Sequence, residues 1–490
     1  MRQRRTIYHN DARHTYLWLF EPPMDMQDAW MPIDEIAGTS VDTFSYCVSR
    51  TDGVFYNTSV DTLFGSGKSP HQHHIEWRAY ECMMSLIRQG LDPMKVLIER
   101  AHEKGMDFIT DLRLGTYPKI SPGVSEKDGG IGFLHPELRG HQFNVLKELA
   151  YEYDIQGVEL DFSAPPHGSP YLFRAEDADQ GRPALTEWLR RVADMVHHRP
   201  GGPGLVGARI YPTEQGNSKR GYDVPTWIRE GLVDFVVPVM YSYDCLDPNL
   251  PFDWVVDLAH KSDVSVYGFL QHYVRSELTG ARMREFANPE HFRAAAANYW
   301  DKGVDGLYTW MMDWPLGETE RGMLTEMSDP DLVLDRKKHY VMARRTELST
   351  TLDYVHYLPL EMQPNPATFH KIPFYIADDI EGSEGRISQV VLRLYWNTSV
   401  AGDRFTVCLN GESLENETCV RVRKPKGYDA FPHSNPRNFW MEFHLRDVRP
   451  VHGENLLEIS FEGRPDNLAG KATLEEFEVI VDYSSYGSGL

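Results

Sequence analysis

Cysteine is scarce and scattered. Cys47, Cys82, Cys245, Cys408 and Cys419 are the five in 490 residues, an odd count with no CxxC pair. That excludes a disulfide framework and a cysteine-based zinc site, and packed, reduced thiols are the expectation. Long apolar runs are missing too. The stretch nearest the start, Tyr16 to Phe20, is too short to span a bilayer. The basic opening Met1-Arg2-Gln3-Arg4-Arg5 has no apolar h-region behind it. A cytoplasmic protein is expected, or a periplasmic or secreted one if a leader has been removed. Clustered Lys and Arg are lacking as well: 50 basic against 72 acidic side chains leave a net charge of −22. Phosphate backbones need concentrated positive charge, so neither nucleic acid nor membrane is an expected partner. No Gly-rich phosphate loop follows any strand-like run, which argues against an open nucleotide-binding sheet.

What is present is apolar and aromatic: 41% hydrophobic and 12% aromatic residues, with 11 Trp and 25 Tyr. That is enough to bury large cores and excludes a disordered or fibrous chain. The balance suits a multidomain enzyme or binder of uncharged polar ligands such as sugars.

From Arg5 to about Asp313 a short β-branched or aromatic run, a polar loop and a helix-period segment alternate. The eight runs begin at Thr6, Val41, Met106, Gly157, Gly204, Val233, Val264 and Val304. Between them, Asp92-Pro93 opens a helix that stops at Gly105, and His135-Pro136 opens another; Pro183 to His197 and Pro289 to Gly303 read similarly. Strands alternating with helices mean parallel pairing, and eight units fit a (β/α)₈ barrel over residues 1–325. Residues 326–373 read as a connecting segment. From 374 to 490 strand-length alternation without helices, with an Asn410-Gly411 turn, reads as a smaller all-β sandwich.

Ligands of such a barrel sit at the C-terminal strand ends. Those positions carry Asn10 and Asp11, Tyr46, Asp111 and Arg113, Glu159 and Asp161, Tyr211 and Glu214, Tyr241 and Asp244, Gln271 and His272, then Trp310, Asp313 and Trp314. Carboxylates interleaved with flat rings are what acid/base chemistry on sugars requires. In Gly157-Val158-Glu159-Leu160-Asp161-Phe162, period two places Glu159 and Asp161 on one face, the lumen. Buried charges are costly unless paired or used, so either acid forms a structural ion pair with Arg113 or Arg209, or it does chemistry. Glu214 and Asp244 are rival proton donors, and Asp313 either joins them or orients a ligand hydroxyl. Arg113, His135 and His272 are ligand-contact candidates. His71, His73 and His74 lie in a Gly/Ser/Lys/Pro loop and read as solvated rather than metal-binding.

The stretches Gly38 to Thr43, Val96 to His102, Gly105 to Phe108 and Gly157 to Phe162 resemble the bacterial family-10-like glycosyl-hydrolase barrels. The resemblance covers roughly residues 5–325 and implies a glycosidase barrel with a trailing β-sandwich. A weaker likeness is to the family 18 chitinases: Val239 to Asp244 resembles their sixth-strand Met-Tyr-Asp segment, and Gly306 to Trp310 their eighth-strand Trp. Their fourth-strand motif ends in a Glu two residues past an Asp; here the Asp is Asp161 and that position is Ser163. The departure argues against substrate-assisted chitin hydrolysis.

The expectation is therefore a glycoside hydrolase with two carboxylates: Asp161 as nucleophile or base, and Glu214 or Asp244 as acid. Arg113, His135, Glu159, Tyr211, Tyr241, His272, Trp310, Asp313 and Trp314 would contact a carbohydrate substrate. No cofactor and no metal is expected, and self-association into a homo-oligomer is left open. Two rivals stand beside it: a carbohydrate-binding barrel without catalysis, suggested by Ser163, and a metal-dependent hydrolase or deacetylase using the His71 to His74 loop with Asp111 or His135.

Overall fold

The computed structural model describes residues 2–50, 53–114, 132–165, 171–240, 245–275, 285–345, 354–423 and 439–484. Eight parallel strands close into a barrel: β1 (Arg5–Asn10), β2 (Thr43–Cys47), β3 (Asp107–Arg113), β4 (Gly157–Asp161), β5 (Leu205–Ile210), β6 (Phe235–Pro238), β7 (Ser265–Leu270) and β8 (Gly306–Trp310). Each pairs with the next, and β8 returns to β1 with His9 opposite Trp310. Seven fall within the runs expected from sequence, and β1 overruns its expected run, Thr6 to His9, by one residue at each end.

The helices around it are α1 (Met26–Asp34), α2 (His74–Ile87), α3 (Pro93–Glu103), α4 (Pro136–Glu152), α5 (Ala178–His197), α6 (Glu214–Lys219), α7 (Val224–Arg229), α8 (Asp253–His260), α9 (Pro289–Asp301) and α10 (Glu318–Glu326). Asp92 caps α3 by accepting from the Met94 amide at 2.9 Å, with Pro93 in the first turn. The helix expected from Pro183 starts earlier, at Ala178.

Small residues on the lumen face make room for large neighbours. A Cβ on Gly207 would collide with the Phe235 ring, and one on Gly306 with the Arg5 carbonyl. Gly207→Ala is therefore expected to cost about 1–3 kcal/mol by overpacking, read as a lower urea midpoint with unchanged slope.

The second domain is two antiparallel sheets. Its strands are β9 (Lys338–Val341), β10 (Leu360–Met362), β11 (Phe369–Ile376), β12 (Ile387–Asn397), β13 (Arg404–Leu409), β14 (Glu412–Ser413), β15 (Thr418–Arg423), β16 (Phe439–Leu445), β17 (Gly453–Gly463) and β18 (Ala472–Tyr483). One sheet runs β9-β18-β12-β16-β15, with β10 also on β18; the other runs β11-β17-β13-β14. Their inner faces meet around Trp396, Phe374, Leu457 and Phe477. Asn410 and Gly411 both have positive φ, 53° and 84°, as the tight β13–β14 turn demands.

The segment 326–373, expected to be connective, supplies β9, β10 and the first half of β11 to these sheets. It reads as linker because two of its strands are only four and three residues long and pair across more than 100 positions. Asn298 of α9 welds the domains together: its amide donates to the Pro248 and Tyr375 carbonyls at 3.0 and 2.8 Å and accepts from the Ala377 amide at 2.9 Å.

Candidate active site

The lumen is divided. On β6, β7 and β8 its wall is apolar and aromatic, with Phe235, Val237, Val239, Tyr267, Phe269, Tyr308 and Trp310. On β1 to β5 it carries His9, Ser45, Asp111, Arg113, Glu159, Asp161 and Arg209, all buried. Alternation along each strand and the stagger of the barrel stack these in layers from alternate strands. His9, Asp111, Arg209 and Phe269 form one layer: Arg209 Nη2 lies 3.3 Å from His9 Nδ1 and 3.6 Å from Asp111 Oδ2, and its guanidinium stands 5.7 Å over the Phe269 ring. Glu159 and Tyr308 belong to the layer beneath. Asp161 and Trp310 belong to the one above, toward the C-terminal ends.

Arg209 is the hub. Its Nε donates to Glu159 Oε1 at 2.8 Å, Nη2 donates to the Tyr308 hydroxyl at 2.8 Å, and Nη1 donates to Asp161 Oδ2 at 3.5 Å. The Tyr308 hydroxyl in turn reaches the Glu159 carboxylate at 3.1 Å. The bond from Arg209 Nη2 fixes His9 Nδ1 as an acceptor, so the imidazole proton sits on Nε2, 3.8 Å from Asp111 Oδ2. Burial and the Arg209 charge hold His9 well below its usual range, and the ring is neutral.

The carboxylates differ in surroundings. Asp161 Oδ1 accepts from the Ser163 amide at 2.9 Å, the Ser163 hydroxyl at 2.8 Å and the Ala164 amide at 2.9 Å; Oδ2 faces Arg209 at 3.5 Å and Arg113 at 3.9 Å. Arg113 also meets Asp11 at 3.2 Å. Neither oxygen of Asp111 has a hydrogen-bond donor in reach. Burial pushes the Asp111 carboxyl well above the usual range; Asp161 and Glu159 add to the shift and Arg209 opposes it. Burial, helped by Asp161, also raises Glu159 against the pull of Arg209. One guanidinium thus faces two buried carboxyl groups in unlike surroundings: Asp161, held by a cradle of donors, and Asp111, which has none and is pushed toward its protonated form.

The remaining sequence candidates scatter. Trp310 lies on the lumen wall, its indole donating to Gln271 Oε1 at 2.9 Å, with the His272 ring edge-on at 5.7 Å. His272 and the exposed Asp313 line a cavity of about 180 Å³ beside Phe286 and Met312. Tyr211 is buried against Tyr222, its hydroxyl donating to the Pro165 carbonyl at 3.2 Å. His135 is half-buried and precedes α4. Glu214 is exposed in the first turn of α6, whose N-cap is Thr213. There it complements the helix N-terminus, and no hydrogen bond or ion pair among the described residues joins it to the lumen acids. Tyr241 and Asp244 lie outside the described residues. His73 and His74 are exposed at the start of α2, and His71 leans on the Tyr80 ring at 5.2 Å. Among the described residues no three His, Cys, Asp or Glu gather as metal ligands.

Trp314 is exposed, and its indole donates to Glu35 at 3.1 Å, just past α1 rather than in the lumen. Burial raises the Glu35 carboxyl to about 8 from a usual 4.5, against the lowering bond from Trp314. A proton held by the folded state and not the unfolded one means stability falls as pH rises between those two values. Glu35→Gln is expected to leave the melting temperature unchanged near pH ~4 and to raise it by a few degrees near pH ~9. Thermal melts across that range check it.

His9, Ser45 and Tyr308 are the lumen residues the strand-end reading passed over. The signal was available: Ile7 and His9 alternate out of phase with Tyr8, as Tyr308 and Trp310 do with Leu307 and Thr309.

No family model and no curated protein matches the sequence. Solved structures with some likeness include alpha-L-fucosidase isoenzyme 2 from Paenibacillus thiaminolyticus, at 11% identity and TM-score 0.43 over 67% of this chain and 49% of that one. A class V chitinase from Pseudomonas fluorescens is 12% identical, TM-score 0.37, over 65% of this chain and 98% of that one. An alpha-L-fucosidase from Bacteroides thetaiotaomicron is 10% identical, TM-score 0.38, over 92% and 84%. This chain spans about half the length of the first of them. Likeness at this level carries nothing about chemistry; the barrel rests on its own strand pairing.

Proposed function

We propose that the chain is a glycoside hydrolase whose reaction is carried by Asp161 and Asp111 at the mouth-side layers of the lumen. The observation that carries the reading is the shared guanidinium of Arg209, which faces one oxygen of each while their surroundings differ. Asp111, protonated, delivers its proton to the glycosidic oxygen as the C–O bond breaks. Asp161, charged and held by donors, either bonds the anomeric carbon or takes a proton from the attacking water. A carboxyl separation of about 5–5.5 Å gives retention and about 6.5–9.5 Å inversion. Trp310 supplies a flat face for the sugar, and the net negative charge favours a neutral glycan.

The test is turnover of neutral aryl and alkyl glycosides by the wild-type chain and by Asp111→Asn. The expected result is a loss of about 100-fold or more on alkyl leaving groups and a much smaller loss on dinitrophenyl glycosides, which leave without a proton. Equal rates for wild type and variant on both classes would remove Asp111 from the role. One observation favours a second reading, a carbohydrate-binding barrel without turnover: Arg209 already compensates three acids that are fully buried. Glycan binding by a wild-type chain that turns over no glycoside decides for it.

A further inference from the structure

Barrel and sandwich enclose a second cavity, on the flank of the barrel where α9 meets β11. Its volume is about 370 Å³, inside the range of small-ligand sites, roughly 300–1,000 Å³. Asp247 and Lys302 contribute from the barrel side, and His356, Tyr357 and Tyr375 from the sandwich side.

A polar anchor is built into it. Asp247 Oδ1 accepts from the Asn249 amide at 2.9 Å, while Oδ2 accepts from His356 Nε2 at 3.2 Å and from the Tyr354 hydroxyl. Burial would raise this carboxyl, yet the His356 and Tyr354 bonds outweigh it and hold Asp247 below the usual range. A charged acceptor on Nε2 orients the imidazole as the acid of a catalytic dyad does. The His356 ring is 8% exposed, and its Nδ1 has no hydrogen-bond partner. A buried ring nitrogen without a partner costs free energy, and His356 is part of the cavity wall. Around it the wall offers apolar surface that the fold leaves uncovered, Val355 at 61% and Tyr357 at 40% exposed. Among the described residues of the wall, Asp247, Asp253 and Glu454 outnumber Lys302, whose charge is already offset by Asp253 at 3.1 Å while it also donates to the Leu250 carbonyl at 3.1 Å, so the wall is net acidic and disfavours an anion.

We propose that this interdomain cavity is a second ligand site, taking an uncharged, hydroxyl-bearing ring of sugar size with His356 as the hydrogen-bonding anchor and Tyr357 as the stacking face. The site is independent of the lumen chemistry. The experiment is saturation-transfer NMR and titration calorimetry on the full chain with methyl glucoside, methyl galactoside, methyl xyloside and glucuronate as probes. The expected result is millimolar binding of at least one neutral glycoside, weaker binding of glucuronate, and undiminished binding by Asp161→Asn. His356→Gln and Tyr357→Ala should each weaken it about tenfold or more. Tyr357→Ala removes an exposed ring, so its melting temperature should equal the wild type's and its loss of binding be read without ambiguity. No binding of any neutral glycoside, tighter binding of glucuronate, unchanged affinity in both variants, or loss of binding in Asp161→Asn would each overturn the proposal. The last outcome would place the sugar in the lumen and support the hydrolase reading instead.

Discussion

Replacing Arg209 with leucine is expected to destabilise the fold by about 3–5 kcal/mol at neutral pH, the range for removing one partner of a buried ionic network. The guanidinium is fully buried and stands against Glu159, Asp161 and Asp111. Without it three buried carboxyls are left with Arg113 as the nearest cation, on the Asp161 side, and they answer by keeping protons. The folded state then binds more protons than the unfolded one from about pH 4 upward, so the loss should grow as pH rises and shrink in acid. Urea melts at about pH 5 and pH 8 read this directly: a larger deficit at the higher pH is expected. Arg209→Lys should recover little, because a point charge cannot replace a fork that serves Glu159, Tyr308 and Asp161 at once. A variant as stable as wild type at both pH values would show that the lumen acids are solvated and the network incidental.

How much of this was legible in sequence depends on how local the signal is. Strand positions were, because each barrel strand is a short β-branched or aromatic run between polar segments. So was the inward pairing of Glu159 with Asp161, which needs only the two-residue period. The alternative of an ion pair with Arg113 or Arg209 has its contacts: Arg209 faces both acids and Arg113 faces Asp161. The layer that joins His9, Asp111 and Arg209 was not legible, since it depends on barrel stagger, a property of closure rather than of any segment. Glu214 is ambiguous in sequence because a strand end and a helix start are adjacent in this fold, and an acid there serves the helix as readily as the lumen. The strands of 326–373 were missed because their pairing partner, β18, lies at the far end of the chain.

Asp161→Asn carries the second large effect. The substitution keeps the shape of the side chain, and the amide oxygen can go on accepting from Ser163 and Ala164, so the cradle at 2.8–2.9 Å survives. Charge is what it removes. Stability should change little compared with Arg209→Leu, because Arg113 keeps Asp11 and Arg209 keeps Glu159. Activity should fall by about 10⁴-fold or more, the scale seen when a group that bonds or activates the attacking atom is lost. The fall should be the same for good and poor leaving groups, in contrast to Asp111→Asn. That contrast separates a nucleophile or base from an acid without any structure of a complex.

The most direct measurement is therefore kcat/KM for wild type, Asp161→Asn and Asp111→Asn on one neutral sugar carrying either a dinitrophenyl or an alkyl leaving group. The account predicts loss on both substrates for Asp161→Asn and selective loss on the alkyl glycoside for Asp111→Asn. Wild-type turnover that Asp161→Asn leaves intact on both substrates would contradict it.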